Sequence, residues 1–328
     1  MRVFVTGASG RLGQFLVHKL VSAGHDVTGL VSSEQKAGPV RAAGASVLLG
    51  RLADEDVLAQ GLRGRQVVYH LAGGVRGAGP ETADLINREG TAHLCAALRK
   101  VGRGELTALV FTSSGAVYGD RSGLWVSEDM PPHPQTLYGT SKVAAEKLLL
   151  DAARDHGVPT RVARVGAVYG PGFGFTMADP IRAGRCWLPG EGRNYVASLH
   201  VDDAISGLLR IAEAGQDGAI YNLADPNPVT LREFYAEVHR LVGGKPARFW
   251  STWIPSYAQR ALAERSEQVQ ARLGRRPRFT PDTLRLYTAS ARMRVDRLER
   301  ELGFVWAWPT HTAGLRAALS GQDARGHA

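Results

Sequence analysis

Tyr138 and Lys142 stand four residues apart at the head of a helical stretch running from Tyr138 to Gly157, and Ser114 ends an earlier strand-like run. Residues at i and i+4 share one face of a helix, so the phenol and the ammonium project into the same space. A free tyrosine ionises near about 10 and is a poor base at neutral pH. An ammonium close by stabilises the phenolate and lowers that value. The product is a group that can take a proton from an alcohol or return one to a carbonyl oxygen. With six Lys and nine Tyr in 328 residues, the spacing alone is not specific. Its weight depends on what precedes it.

What precedes it is Val3-Phe4-Val5-Thr6-Gly7-Ala8-Ser9-Gly10-Arg11-Leu12-Gly13. A β-branched run enters a turn with glycine at 7, 10 and 13, and an apolar helix follows through Leu12, Phe15, Leu16 and Leu20. Such glycines allow a tight turn and close backbone approach to a pyrophosphate, which then rests on the helix N-terminus. The spacing is G-x-x-G-x-x-G rather than G-x-G-x-x-G.

Elements must carry these groups to one place. Strand-like runs at Arg2–Thr6, Asp26–Val31, Ser46–Gly50, Gln66–Leu71, Thr107–Ser113 and Thr160–Val165 alternate with helical patterns at Gly13–Ala23, Asp54–Gly61, Thr82–Val101 and Tyr138–His156. That alternation predicts βαβ units and an α/β fold with a doubly wound parallel sheet, whose ligands bind at the carboxyl ends of the strands. Gly7, Ala72, Ser114 and the helix start at Tyr138 all fall at that edge. After Gly170 the rhythm changes to Gly- and Pro-rich loops, a return strand at Ala219–Leu223 and a long Arg/Trp-rich helical region from Leu231 onward. The expected division is a Rossmann domain over 1–170 and about 200–224, a smaller cap over 171–199 and 225–320, and a disordered tail at 321–328.

Taken together, these residues resemble the extended short-chain dehydrogenase/reductase superfamily, in its NAD(P)-dependent epimerase/dehydratase-like group. The resemblance spans nearly the whole chain. It includes His70-Leu71-Ala72-Gly73, Asn87-x-x-Gly90-Thr91, Ser113-Ser114-Gly115-Ala116-Val117-Tyr118-Gly119, Arg164 to Pro171, His200-Val201-Asp202-Asp203 and Glu301-Leu302-Gly303-Phe304. It implies a Rossmann fold and a catalytic set of Ser114, Tyr138 and Lys142, the serine lying four residues before Tyr118. It further implies that the cofactor is held by Thr6, Gly7, Ser9, Gly10, Arg11, Leu12 and Gly13, by Ser32 and Ser33, by Arg51 and Leu52, by Leu71, Ala72 and Gly73, and by Thr112, Tyr138, Lys142, Val165 and Val168. In this group the element around His200 and Asp202 is largely structural, and Glu128, Asp129 and Pro131 belong to a loop leading to the tyrosine. Gly115 and Ala116 stand where the dehydratase branch has acids, which disfavours elimination chemistry.

Cofactor choice rests on the end of the second strand, where an acid would bond the adenosine 2′-hydroxyl and select NAD. Leu30-Val31-Ser32-Ser33 offers no carboxylate, and Arg11 and Lys36 are near in sequence. The acid usual after the third strand is replaced by Arg51. NADP is therefore favoured, with NAD the alternative. Nucleotide-sugar epimerases place an arginine shortly before the His-Val element. Here Val196 and Ala197 occupy that stretch, with Arg193 too far upstream. The cap segments Trp253-Ile254-Pro255, Pro277-Arg278-Phe279-Thr280 and Arg292 to Gly303 look more like the hydroxysteroid-dehydrogenase and dihydroflavonol-reductase branch. The expected activity is hydride transfer on a ketone or alcohol, with sugar-nucleotide epimerisation as the alternative and a non-catalytic cofactor sensor as a remote third.

Composition narrows the partners. The net charge is +9, with Arg outnumbering Lys 34 to 6. Lys245 to Glu301 holds 13 Lys/Arg against 6 Asp/Glu, peaking at Arg272-Leu273-Gly274-Arg275-Arg276-Pro277-Arg278. No aromatic platform or reading helix accompanies these charges, so a solvated surface or an anionic ligand is expected and nucleic acid is not. Cys95 and Cys186 lie far apart with no metal-ligand spacing, and no metal is expected. There is no long apolar run, so a cytoplasmic protein with a small-molecule substrate, no membrane contact and, by resemblance, homodimeric assembly is expected.

Overall fold

The computed structural model describes residues 1–73, 85–250, 256–273 and 280–320. Seven parallel strands form the main sheet: β1 Arg2–Thr6, β2 Asp26–Val31, β3 Ser46–Leu49, β4 Val67–His70, β5 Ala108–Ser114, β6 Thr160–Val165 and β7 Ile220–Leu223. Their order across the sheet is β7-β6-β5-β4-β1-β2-β3. This is the doubly wound α/β Rossmann architecture read from the alternation, with β7 as a seventh strand beside β6.

The strands are apolar on both faces, as a parallel sheet covered by helices requires. The period of two sorts their residues into two clusters. Val3, Val5, Tyr69 and Val110 face one side with Leu16, Val17 and Leu20 of the Arg11–Ser22 helix and Ile205, Leu208 and Ile211 of the Val201–Ala214 helix. Phe4, Val68, Leu109 and Phe111 face the other, with Leu58 and Leu62, Leu94 and Leu98, and Leu149 of the Leu137–His156 helix. Cys95 and Cys186 are buried and unpaired. Among the described residues no helix is long and apolar enough to cross a membrane.

Two expected elements differ. The run read as one helix over Thr82–Val101 is an α-helix at Gly90–Val101, preceded by a wider π turn at Leu85–Glu89. The turn serves Asn87, whose amide donates to Ser141 Oγ at 2.8 Å. The helical region from Leu231 onward is divided into several helices. It breaks at Gly243 and Gly244, both with positive φ, and gives helices at Leu231–Val242, Ser256–Arg272, Pro281–Thr288, Asp296–Leu302 and His311–Ser320. A third apolar cluster gathers this part of the chain, with Ile181, Leu188, Phe234, Tyr235, Phe249 and Leu315.

A buried polar chain ties the elements that matter at the carboxyl edge. Thr91 Oγ1 donates to the Asn87 carbonyl, so it accepts from His70 Nε2 at 3.0 Å. His70 Nδ1 is then the lone pair that accepts from Thr6 Oγ1 at 2.7 Å, and Thr6 Oγ1 in turn accepts from the Ala72 amide at 3.4 Å. The arrangement needs a neutral imidazole. Burial, reinforced by the Lys142 charge, pushes the His70 pKa from 6.5 down to about 3. Between those values the unfolded chain binds a proton that the folded one refuses, so stability from this group is complete above pH 6.5 and is lost as the pH falls towards 3. Denaturant unfolding should therefore show the gap between wild type and His70→Gln narrowing as the pH falls through that window. A gap independent of pH would show that His70 is not held neutral.

Candidate functional site

The glycine-rich turn closes against the end of β4. Gly7 adopts φ +74°, and a Cβ there would lie 2.6 Å from the Ala72 nitrogen. A Cβ on Gly13 would lie 2.1 Å from the Gly7 carbonyl oxygen. No side chain could enter either position. Gly10 precedes the Arg11–Ser22 helix, and no side chain caps that N-terminus. The first amides of a helix lack internal acceptors and carry the positive end of its dipole. Thr6 Oγ1 accepts from the Ala72 amide beside this turn, the Ser9 carbonyl accepts from Gln14, and Arg11 is exposed. Leu12 and Leu71 pack on the first core cluster, and Gly73 lies against Lys142, a Cβ on it meeting Nζ at 3.0 Å. The fit to a dinucleotide pyrophosphate rests on that bare, uncapped backbone.

Towards the sheet edge at β2 and β3, Ser32, Gly50 and Arg51 line a second depression together with Asp54, Asp56 and Lys100. Its acids are engaged: Asp54 caps the following helix through the Val57 amide, and Asp56 pairs with Lys100. Lys36 Nζ donates to Ser32 Oγ at 3.3 Å, while Arg51 is exposed. Leu52 lies over Gly90 instead of facing this depression, a Cβ on Gly90 meeting its side chain at 2.7 Å. Val168 pairs with Leu199 in a short parallel ladder and packs on the first core cluster.

The third group is the one that can do chemistry. β5 ends at Ser114, in register with Val165 at the end of β6. The turn after it, Gly115–Tyr118, is capped by Ser114, whose Oγ accepts from the Ala116 amide at 3.2 Å. That bond uses a lone pair and leaves the hydroxyl proton to donate elsewhere. Thr136 caps the Leu137–His156 helix, accepting from the Gly139 amide at 3.0 Å, which places Tyr138 in the first turn. Ser114, Tyr138 and Val165 line one cavity. Lys142, one turn further on, is 3 % exposed. Its Nζ donates to the Thr112 carbonyl at 2.9 Å and lies 4.8 Å from the centre of the Phe111 ring. Burial pushes the Lys142 pKa from 10.5 down to about 8, against the opposing pull of Glu146.

The cavity beside Ser114 and Tyr138 is walled by Phe175, Val196, Ala197, Leu231, Leu286 and Met293, with Asn194, Tyr195 and Arg285 among its polar members. Arg193 is not part of it: its side chain is 85 % exposed, beside Glu191. Val196 and Ala197 stand in the wall where the sequence offered no arginine. His200 caps the Val201–Ala214 helix, its Nδ1 accepting from the Asp202 amide at 3.2 Å. Glu128 accepts from the Asn222 amide and Asp129 pairs with Arg297. None of these four lines the cavity.

The model of the NAD dependent epimerase/dehydratase family matches residues 3–224. The chain belongs to that family. Members of it are NAD-binding enzymes of the extended short-chain dehydrogenase/reductase type, and this chain is one of them. Over its whole length it is 34 % identical to the 4-hydroxy-2-methyl-3-oxo-4-farnesyl-3,4-dihydroquinoline-1-oxide ketoreductase of Stigmatella aurantiaca, covering 100 % of this chain and 99 % of that one. It is 29 % identical to a UDP-glucose 4-epimerase of Mycolicibacterium smegmatis, over 74 % of this chain and 83 % of the relative. Among solved structures it superposes on a UDP-glucuronic acid 4-epimerase of Bacillus cereus, in complex with UDP-glucuronic acid and NAD, with a TM-score of 0.77 at 20 % identity over 99 % of each chain. That likeness establishes the fold.

For this epimerase/dehydratase-family chain the sequence reading missed the far wall of the cavity. Phe175, Asn194, Arg285 and Met293 come from separate segments, and no periodicity links them. Asn194 holds one of these segments in place, its amide donating to the carbonyls of Tyr287 and Ala289 at 2.9 and 3.2 Å. Arg285 was one arginine within a basic stretch expected to be a solvated surface or a site for an anionic ligand. Of the Arg272–Arg278 peak of that stretch, residues 274–278 lie outside the described residues, as do Trp253–Pro255 and Phe279. NMR of ζ-nitrogen-labelled lysines, assigned by Lys142→Arg, should show one of the six titrating near pH 8 in the cofactor-free protein. Titration near 10.5 would mean that water reaches the ammonium.

Proposed function

We propose that the protein transfers hydride between NAD(P) and an apolar ketone or secondary alcohol, with Ser114, Tyr138 and Lys142 as its catalytic residues. The observation that carries this reading is the apolar wall facing Ser114 and Tyr138, formed by Phe175, Val196, Leu231, Leu286 and Met293. Apolar walls bind by excluding water from area, whereas a diphosphate needs charge-assisted bonds from several cations. The full-length likeness to a ketoreductase named for a farnesylated substrate supports the same class.

The glycine-rich turn and the strand ends would hold NAD(P), which would supply or accept the hydride. Tyr138 gives a proton to the substrate oxygen as charge develops on it, or takes one in the reverse direction. The Lys142 ammonium keeps the phenol acidic enough for that exchange. Ser114, with one lone pair engaged by the Ala116 amide, would donate its proton to the same oxygen. Lys142 keeps donor capacity beyond its bond to Thr112. Tyr138→Phe should lower turnover by about 10²–10⁴ while leaving cofactor affinity within about threefold. Turnover at the wild-type rate would remove Tyr138 from the mechanism.

Ser32, Lys36 and Arg51 favour NADP within this reading, because they offer hydroxyl and cationic donors to a 2′-phosphate, while the neighbouring Asp54, Glu55 and Asp56 are engaged by the Val57 amide, His93 and Lys100. Calorimetric titration should give tighter binding of NADP than NAD, with the difference shrinking in Lys36→Ala and Arg51→Ala. Tighter binding of NAD would assign these residues to the surface.

A second reading, nucleotide-sugar epimerisation, is favoured by Arg285, which faces the same cavity, and by the epimerase relatives. A thermal-shift comparison with cofactor present separates the two. Flat apolar ketones should stabilise the protein and uridine diphosphate should not. Stabilisation by uridine diphosphate that disappears in Arg285→Ala would replace the reductase by the epimerase.

A further inference from the structure

Behind the cavity, one turn along the helix from Lys142, Glu146 is 3 % exposed and faces Arg164 of β6, 2 % exposed. The guanidinium grips the carboxylate with two bonds, Nε to Oε1 at 3.1 Å and Nη2 to Oε2 at 2.8 Å. Burying two charges costs several kcal/mol of desolvation, and apolar pairs of similar volume are often as stable. Stability alone does not account for such a pair, and its remaining bonds show what else it touches. Ser113 Oγ donates to Glu146 Oε1. Arg164 Nη1 donates to the Tyr118 hydroxyl at 3.0 Å, and that hydroxyl donates to Asn222 Oδ1 at 2.8 Å. Ser113 precedes Ser114, and Tyr118 closes the turn that follows it.

We propose that the Glu146–Arg164 pair is a positioning clamp, which fixes Ser114 relative to the helix that carries Tyr138 and Lys142. One carboxylate is held by the residue before Ser114 and sits on the helix of the tyrosine and lysine. Its guanidinium partner holds the other end of the Ser114 turn. The serine and the tyrosine therefore cannot shift relative to one another without breaking charge-assisted bonds in a dry interior. The proposal rests on the catalytic reading of Ser114, Tyr138 and Lys142, but concerns residues that touch neither substrate nor cofactor.

The double variant Glu146→Gln/Arg164→Met removes both charges together and leaves neither unpaired. Reduction of phenanthrenequinone, a flat apolar diketone, by NADPH gives kcat and KM. Tyrosinate absorbance, taken as the difference between each protein and its Tyr138→Phe counterpart, follows Tyr138 without any turnover. A small misplacement of reacting groups costs on the order of 10²-fold. The expected result is a kcat lowered about 10- to 100-fold, with KM and cofactor affinity within about threefold and the Tyr138 midpoint moved upward. A folded double variant with wild-type kcat and an unmoved midpoint overturns the clamp, as does a loss of activity that only tracks the loss of folded protein. If the double variant does not fold, Ser113→Ala decides, since it keeps the ion pair and cuts the single bond beside Ser114. A several-fold fall in kcat at unchanged melting temperature supports the clamp, and wild-type kcat and midpoint overturn it. Wild-type turnover in Tyr138→Phe itself would defeat the catalytic reading instead, and the midpoint arm separates the two failures.

Discussion

An ammonium held out of water is the constraint around which this molecule is arranged. Lys142 is buried at the carboxyl edge of the sheet, bonded to one backbone carbonyl and laid over an aromatic face. Neither contact is a full counter-charge, so its proton is held less tightly than in water. Its surroundings have been made compatible with that charge. His70, on the neighbouring strand, stacks on the same Phe111 ring and stays neutral, because it is buried away from water and Lys142 adds a repelling charge. The nearest acid along the helix, Glu146, is taken up by Arg164, so it tempers the lysine without neutralising it.

Two buried polar chains support the elements around Lys142. One passes through Asn87, Thr91, His70 and Thr6 to Ala72, beneath the glycine-rich turn. The other passes through Glu146, Arg164 and Tyr118 to Asn222, and Asn222 reaches the Arg294 carbonyl at 3.0 Å, next to the wall residue Met293. Asn87 also bonds Ser141, whose hydroxyl donates to the Tyr138 carbonyl at 2.9 Å. The helix of Tyr138 thus has hydrogen-bonded supports on both sides, towards the cradle and towards the wall.

Much of this was legible before any coordinates. The limits of β1, β2 and β6 were read to the residue. β1 carries Val3-Phe4-Val5 without interruption, as a doubly covered strand must, whereas Arg161 and Arg164 break the apolar run of β6. The Tyr-Lys spacing and the glycine turn are local signals, because a helix face and a tight turn each need only a few consecutive residues. The wall of the cavity beside Ser114 and Tyr138 left no such trace. Its residues are brought together by two-residue ladders such as Arg292–Met293 on Trp125–Val126, where pairing is decided by tertiary contacts and not by propensity. Glu146 and Arg164 could not be linked either, because a charge on a buried face looks the same in sequence as one in solvent until its partner is known.

Arg292 illustrates how that wall is secured: its guanidinium lies 4.9 Å from the Trp125 ring centre and 4.7 Å from that of Tyr195, and its Nε donates to the Gly123 carbonyl at 2.6 Å. The neighbouring Met293 is different in kind. Its sulfur rests where a side chain on Gly115 would begin, 2.8 Å from the position of that missing Cβ. A thioether is unbranched and polarisable, and it re-packs at little cost. The wall next to Ser114 therefore combines a rigid backbone with one yielding side chain. Such a surface can mould itself to congeners of different girth, so a pocket built this way tends towards tolerance of a chemical series more than towards a single fitted shape.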